Sequence, residues 1–256
     1  MIWILFALFA ALGACLASFV NVAAHRSVTG ECWWGRTRSR CDSCGVVLNG
    51  LDLVPLLSFL LSKGRCRHCG APIGYRYPLV EIVGAAMAGA LYLRWGLSPA
   101  LPLALLVAFG FLLNALTDIE SGYVFDFFAG AIGVAGMLFR IQGGWGALLD
   151  GLWGALLGGG IILCIIIVSR GGMGWGDATL AAGAGAALGM HMIGVVLYLG
   201  FMIGGLVALV LLLFRRVSRK DAIPLVPFLA AGGFAALLAG PRLLSLISLI
   251  PGWPWR

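Results

Sequence analysis

From Ala178 to Phe214 the chain runs for 37 residues without an Asp, Glu, Lys or Arg. A water-facing surface needs polar side chains that such a run does not have, so the run belongs in a bilayer. As a single helix it would be about 55 Å long, against a hydrocarbon core of about 30 Å. Two helices turning near Gly189–His191 remove the mismatch, and the first, being short, begins near Asp177.

The rest of the chain repeats the pattern. Of its 256 residues 61% are apolar and 11% charged, where an ordinary soluble domain has about 25% charged. A soluble enzyme is excluded. The 39 glycines suit helices packed closely inside a membrane. A span needs about 20 apolar residues, and segments near 2–24, 78–95, 99–117, 124–139, 146–168, 177–190, 192–214 and 222–240 meet or approach that rule. The expected fold is therefore an all-α polytopic membrane protein of about eight transmembrane helices. The first Lys or Arg is Arg26, so 1–24 is expected to be a retained helix rather than a cleaved signal peptide.

Charge sets the expected orientation. If the polar island 25–77 is cytoplasmic and the sides alternate from there, the inside collects Arg26, Arg36, Arg38, Arg40, Lys63, Arg65, Arg67, Arg76, Arg170, Arg215, Arg216, Arg219 and Lys220. The outside receives Arg94, Arg140, Arg242 and Arg256. Such an asymmetry favours this orientation, with both termini outside.

The island also holds Cys41-Asp-Ser-Cys44 and Cys66-Arg-His-Cys69, each pair followed by a glycine, Gly45 and Gly70. Four thiolates at this spacing suit a closed tetrahedral zinc site, structural because no position stays open for water. Two disulfides are the rival reading, disfavoured by a cytoplasmic location. An island this small needs such a staple to fold. Its basic residues Arg65, Arg67 and Arg76 are expected to meet anionic lipid or an acidic substrate rather than nucleic acid. Cys15, Cys32 and Cys164 have no partner pattern and read as packing residues.

Carboxylates at the ends of spans are costly to bury and so are functional candidates. Asp118 closes the third span and Asp177 opens the sixth after Gly171-Gly-Met-Gly-Trp-Gly. The charge distribution puts both on the cytoplasmic side. Two neighbouring carboxylates share a proton, so one can act as acid while the other activates water. The glycines before Asp177 leave room for an extended substrate backbone, although Asp177 also reads as a helix cap. Asp150, on the outer side, is not expected to be catalytic. At this level the residues fit an intramembrane aspartyl hydrolase or a proton-coupled transporter.

Five segments in order resemble the type IV prepilin peptidase family, the bifunctional leader peptidases and N-methyltransferases of type IV pilus and type II secretion systems. They are Gly13-Ala-Cys-Leu-Ala-Ser-Phe-Val-Asn21-Val, the tetracysteine region from Ser39 to Glu81, Leu51-Asp-Leu-Val-Pro55 within it, Gly174-Trp-Gly-Asp177, and Ile223-Pro-Leu-Val-Pro-Phe-Leu-Ala230. The resemblance implies catalytic aspartates at Asp118 and Asp177. The implied substrate is a prepilin or pseudopilin, cut on the cytoplasmic face of the bacterial inner membrane after the glycine that ends a short basic leader. The new N-terminal residue, usually Phe, would then be methylated with S-adenosylmethionine. No cofactor-binding residues are assigned, and a peptidase with a purely structural zinc island is the alternative. Glu81, Glu120 and Asp126 are candidates for receiving the basic leader. Three departures are Phe125, where the family has proline, Thr179, where a lysine often stands, and Asp42, in place of the usual proline inside the first Cys-x2-Cys, with the ligand spacing unchanged. The expected organisation is a first helix at 1–24, a zinc-binding, methylation-associated domain at 25–77 and a peptidase domain at 78–256.

Overall fold

The computed structural model describes residues 2–32, 38–170, 172–216 and 223–255. Arg36, Gly171, Arg219, Lys220 and Arg256, which entered the sequence argument, lie outside them. Nine α-helices occur among the described residues: α1 Ile2–Thr29, α2 Leu57–Leu61, α3 Arg76–Trp95, α4 Ala100–Ser121, α5 Asp126–Arg140, α6 Gly144–Val168, α7 Trp175–Leu188, α8 Met190–Leu213 and α9 Val226–Leu246. Each of the eight apolar segments falls on one of them, and only the five-residue α2 lies within the island. Five stretches are long and apolar enough to cross a membrane: α1, α4, the continuous Asp126–Val168, α8 and α9. The chain is thus a multi-pass, all-helical membrane protein. α7, with 14 residues, spans about 21 Å and falls short of the core by itself.

The chain divides into two compact units, Met1–Leu93 and Arg94–Arg256. In the first, α1 and α3 lie antiparallel. Gly13 faces Gly84 and Ala88 so closely that a methyl group there would overlap the Gly84 carbonyl. Further along the same seam the Phe9 and Tyr92 rings stack 4.9 Å apart, and Arg76 Nε donates to Asn21 Oδ1 at 2.9 Å.

In the second unit α7 runs between α5 and α6. Gly133 and Gly136 of α5 meet Gly183 and Ala187, whereas Gly151, Gly154 and Gly158 of α6 meet Ala186, Gly185 and Ala181. Rising numbers on α5 match rising numbers on α7, and those on α6 match falling ones. Hence α5 and α6 form a hairpin, bent at the short 3₁₀ turn Ile141–Gly143 and at Gly144, whose φ is +77°. Small residues on both flanks let three backbones approach within a side chain's width. α9 packs against α8 where Gly232 meets Gly200, and against α4 where Gly233 meets Phe111.

At the hairpin bend lies a polar cluster that the sequence concealed. Arg140, counted above as an outer loop charge, is 0% exposed. Its Nη2 pairs with Asp150 Oδ2, its Nε donates to Ala147 O at 2.7 Å, and its Nη1 donates to Ala187 O at 3.1 Å. Asp150 Oδ1 accepts from Met190 N at 3.1 Å, and the buried Trp255 donates from Nε1 to Leu188 O at 2.7 Å. The turn between α7 and α8 is thereby held from three sides.

Candidate active site and metal site

Asp118 sits in the last turn of α4, which ends at Gly122 in the left-handed region (φ +70°) with its N–H bonded to the Asp118 carbonyl at 2.8 Å. The Asp118 side chain is buried, and Oδ2 accepts from Val226 N at 3.1 Å. Val226 is the first residue of α9, so the carboxylate answers an N–H that the helix leaves unsatisfied. Below it, Thr117 Oγ1 donates to Asn114 O and Asn114 Nδ2 to Gly110 O, each at 2.9 Å.

Asp177 is the third residue of α7. Its Oδ2 accepts from the N–H of Gly174, the N-cap residue, at 3.1 Å, a bond that reaches back across the first turn of the helix. Asp177 is thus not the N-cap itself, which is Gly174: one of its oxygens bonds back to the N-cap N–H and the other is left. Asp177 is also buried, and its carboxylate lies close enough to Asp118 to feel that group's charge. The two candidates come together from α4 and α7.

The glycines before Asp177 have distinct reasons. A Cβ at Gly176 would overlap the Val124 side chain, so this glycine lets α7 approach the 122–125 loop. Gly174 is exposed and contributes the capping N–H. Thr179 Oγ1 lies 2.6 Å from Asp126 Oδ1 and ties the start of α5 to the first turn of α7. No sequence signal beyond the short spacing to Asp177 marks that bond. Of the three acids considered for the basic leader, Glu81 is buried and accepts from Leu56 N at 2.8 Å, while Asp126 is exposed.

In the first unit the Sγ atoms of Cys41, Cys44, Cys66 and Cys69 lie within 4.8 Å of one another. The Cys41–Cys69 separation is 3.9 Å, and the edge of a tetrahedral zinc–thiolate site is about 3.8 Å for a Zn–S bond of about 2.3 Å. Each pair sits in the same tight turn. Gly45 N donates to Cys41 O and Cys41 N to Val46 O; Gly70 N donates to Cys66 O and Cys66 N to Ala71 O. Gly45 and Gly70 have φ of +69° and +72°, the conformation that glycine adopts without strain. Isolated antiparallel bridges, Arg40–Val47 and Arg65–Pro72, close the two turns.

The thiols differ in acidity. The amides of Cys44 and Ser43 lower Cys41 to about 7, and those of Cys69 and His68 lower Cys66. At Cys69 the Ala71 amide lowers, but burial and the neighbouring thiols prevail and raise it to about 11. Four sulfurs this close cannot all be thiolates without a cation among them, which is the chemistry of a metal site. His68 lies outside the ligand group. Cys15 and Cys164 are exposed along α1 and α6 rather than packed inside.

Residues 11–95 match the family described as Bacterial Peptidase A24 N-terminal domain, and residues 103–209 match the Type IV leader peptidase family. A prepilin leader peptidase/N-methyltransferase of Burkholderia pseudomallei (strain K96243) is 31% identical over 90% of this chain and 84% of its own length. Proteins with the same name from Bacillus subtilis (strain 168) and Aeromonas hydrophila are 32% and 34% identical, over 81% and 79% of this chain and 84% and 72% of theirs. No solved structure matches. With two family matches in order along the chain and relatives aligned across most of their length, the chain belongs to the type IV leader peptidase family.

Proposed function

We propose that the protein is an intramembrane aspartyl endopeptidase in which Asp118 and Asp177 cut the leader from prepilins or pseudopilins, and that it then methylates the new N-terminus. The observation that carries the reading is the convergence of the two carboxylates from α4 and α7, each fixed by one backbone N–H through Oδ2. Fixed donors leave the remaining oxygens aimed and free to handle a proton and a water. With one proton shared between them, the ionised carboxylate removes a proton from water as it attacks the scissile carbonyl. The protonated partner donates to the leaving nitrogen, so the pair still holds one proton, now on the carboxylate that took it from water, and it passes between the two before the next turnover.

On this reading the pair and the island 25–77 face the cytoplasm at the bacterial inner membrane, with both termini outside, and the excess of Lys and Arg on the island supports that orientation. Cys41, Cys44, Cys66 and Cys69 hold a zinc ion, which supplies a structural cross-link and no open coordination position. On this reading 25–77 is the zinc-binding, methylation-associated domain and 78–256 the peptidase domain. S-adenosylmethionine supplies the methyl group; that half rests on family membership, and no step of it is assigned to a named side chain.

The test is mass spectrometry of a prepilin incubated with the purified enzyme, with and without S-adenosylmethionine. Cleavage after the leader glycine, and a methyl added only with the donor, are the expected results. Cleavage with no methyl leaves a peptidase whose zinc is structural only.

A further inference from the structure

The first unit carries an apolar surface that neither the carboxylate pair nor the cysteine cluster uses. In α2, Leu57, Leu60 and Leu61 stand at i, i+3 and i+4 and so share one face. They are 52%, 69% and 66% exposed. The residue between them, Phe59, turns the other way: its ring lies against Gly64 and 6.3 Å from that of Tyr75. The short helix thus has an inner side facing its own loop and an outer side made of leucine.

Its height is set by a strained turn. Leu56 has φ +60° and ψ −45°, and Leu57 N donates to Pro55 O at 2.6 Å. This is a γ-turn of the rare hand, costly for a residue with a branched side chain. Glu81 holds it by accepting from Leu56 N at 2.8 Å. Glu81 lies in the second turn of α3, whose seam with α1 runs from Arg76 beside Asn21 to Gly84 beside Gly13. Glu81 is therefore level with the part of α1 between Gly13 and Asn21, and α1 has no Lys, Arg, Asp or Glu before Arg26. The backbone at Leu56 is pinned below the level at which the membrane-crossing α1 meets its first charge. Leu79 and Ile82 of α3, on either side of Glu81 in sequence, are also exposed, and the exposed Lys63 and Arg65 follow α2 directly in sequence.

We propose that α2 is an interfacial membrane element. Leu57, Leu60 and Leu61 enter the acyl boundary of the leaflet, and Lys63 and Arg65 lie among anionic phospholipid headgroups. The apolar patch on the island is covered by lipid, and the cysteine turns that flank α2 in sequence are thereby tethered to the bilayer surface.

The test places the photo-crosslinking residue p-benzoylphenylalanine at Leu60, or at Phe59, in the full-length protein in nanodiscs containing phosphatidylglycerol. Variants are used only if their size-exclusion profile matches the wild type. The readout needs no catalysis, so it stands apart from the aspartate assignment. A phospholipid adduct at Leu60 that is lost at Phe59 is expected. Equal adducts at both positions, no lipid adduct at Leu60, or an adduct there only with added prepilin would overturn the proposal. Combining Lys63→Gln and Arg65→Gln with the Leu60 probe should lower the adduct in anionic discs and not in phosphatidylcholine discs. An equal loss in both would overturn the headgroup contact.

Discussion

At the scale of single residues, the pair most sensitive to substitution outside the candidate site is Arg140 with Asp150. Arg140 is fully buried and spends its guanidinium on Asp150 and two carbonyls. Arg140→Met leaves a carboxylate half-buried without its cation, and breaking such a pair costs about 3–5 kcal/mol. Thermal unfolding in detergent should show this loss, and adding Asp150→Leu to the same chain should restore much of it. Neither residue's role was legible in the sequence. Both stand near a bend, where charges read as solvated, and the groups that enclose them come from Ala187, Met190 and the chain's last residues. Asp118 and Asp177 were legible, because a carboxylate at the end of an apolar run is costly enough to stand out. The N–H groups that fix them are backbone atoms and left no trace in residue identity.

The elements differ in how their glycines are used. A methyl at Gly154 would overlap the Gly185 carbonyl across the seam of α6 and α7, whereas one at Gly160 meets nothing within 4 Å. Gly154→Ala should destabilise the protein by about 1–3 kcal/mol through overpacking. Gly160→Ala should be neutral or stabilising by up to about 1 kcal/mol through helix propensity. Paired melting curves of the two variants check the contrast. Hydropathy gave the helices to within a few residues at most ends. It could not show that α7 is flanked by α5 and α6, since small residues are equally apolar on every side. The cysteine turns were legible to the residue, because a Cys-x2-Cys pair followed by glycine has few ways to close. The γ-turn at Leu56 and its bond to Glu81 depend on a contact 25 residues away in sequence, and no local signal announces it.

For the whole molecule, the two units make separable predictions. The cysteine site belongs to Met1–Leu93 and the carboxylate pair to Arg94–Arg256. Stripping zinc with a chelator should therefore unfold the cysteine turns, read by amide hydrogen exchange, while the hydrogen bonds at Asp118 and Asp177 stay protected. Zinc binding should also release protons. At pH 8, Cys69, raised to about 11, is still a thiol and must lose its proton to bind, whereas Cys41, lowered to about 7, is already mostly thiolate. The metal's affinity falls as pH falls, because protons compete for the same sulfurs. Calorimetry in buffers of different ionisation enthalpy should report at least one proton released per zinc at pH 8; none released would contradict the assignment of Cys69 as a ligand.

The central claim is that Asp118 and Asp177 act together on a peptide bond. An asparagine at either position can still offer its carbonyl oxygen to the N–H of Val226 or Gly174, so Asp118→Asn and Asp177→Asn remove the chemistry and leave the local fold. The measurement is mass spectrometry of a prepilin after incubation with each variant beside the wild type, with circular dichroism and unfolding curves confirming that all three are folded. Loss of cleavage in both variants is the predicted result. Full cleavage by either folded variant would contradict the account.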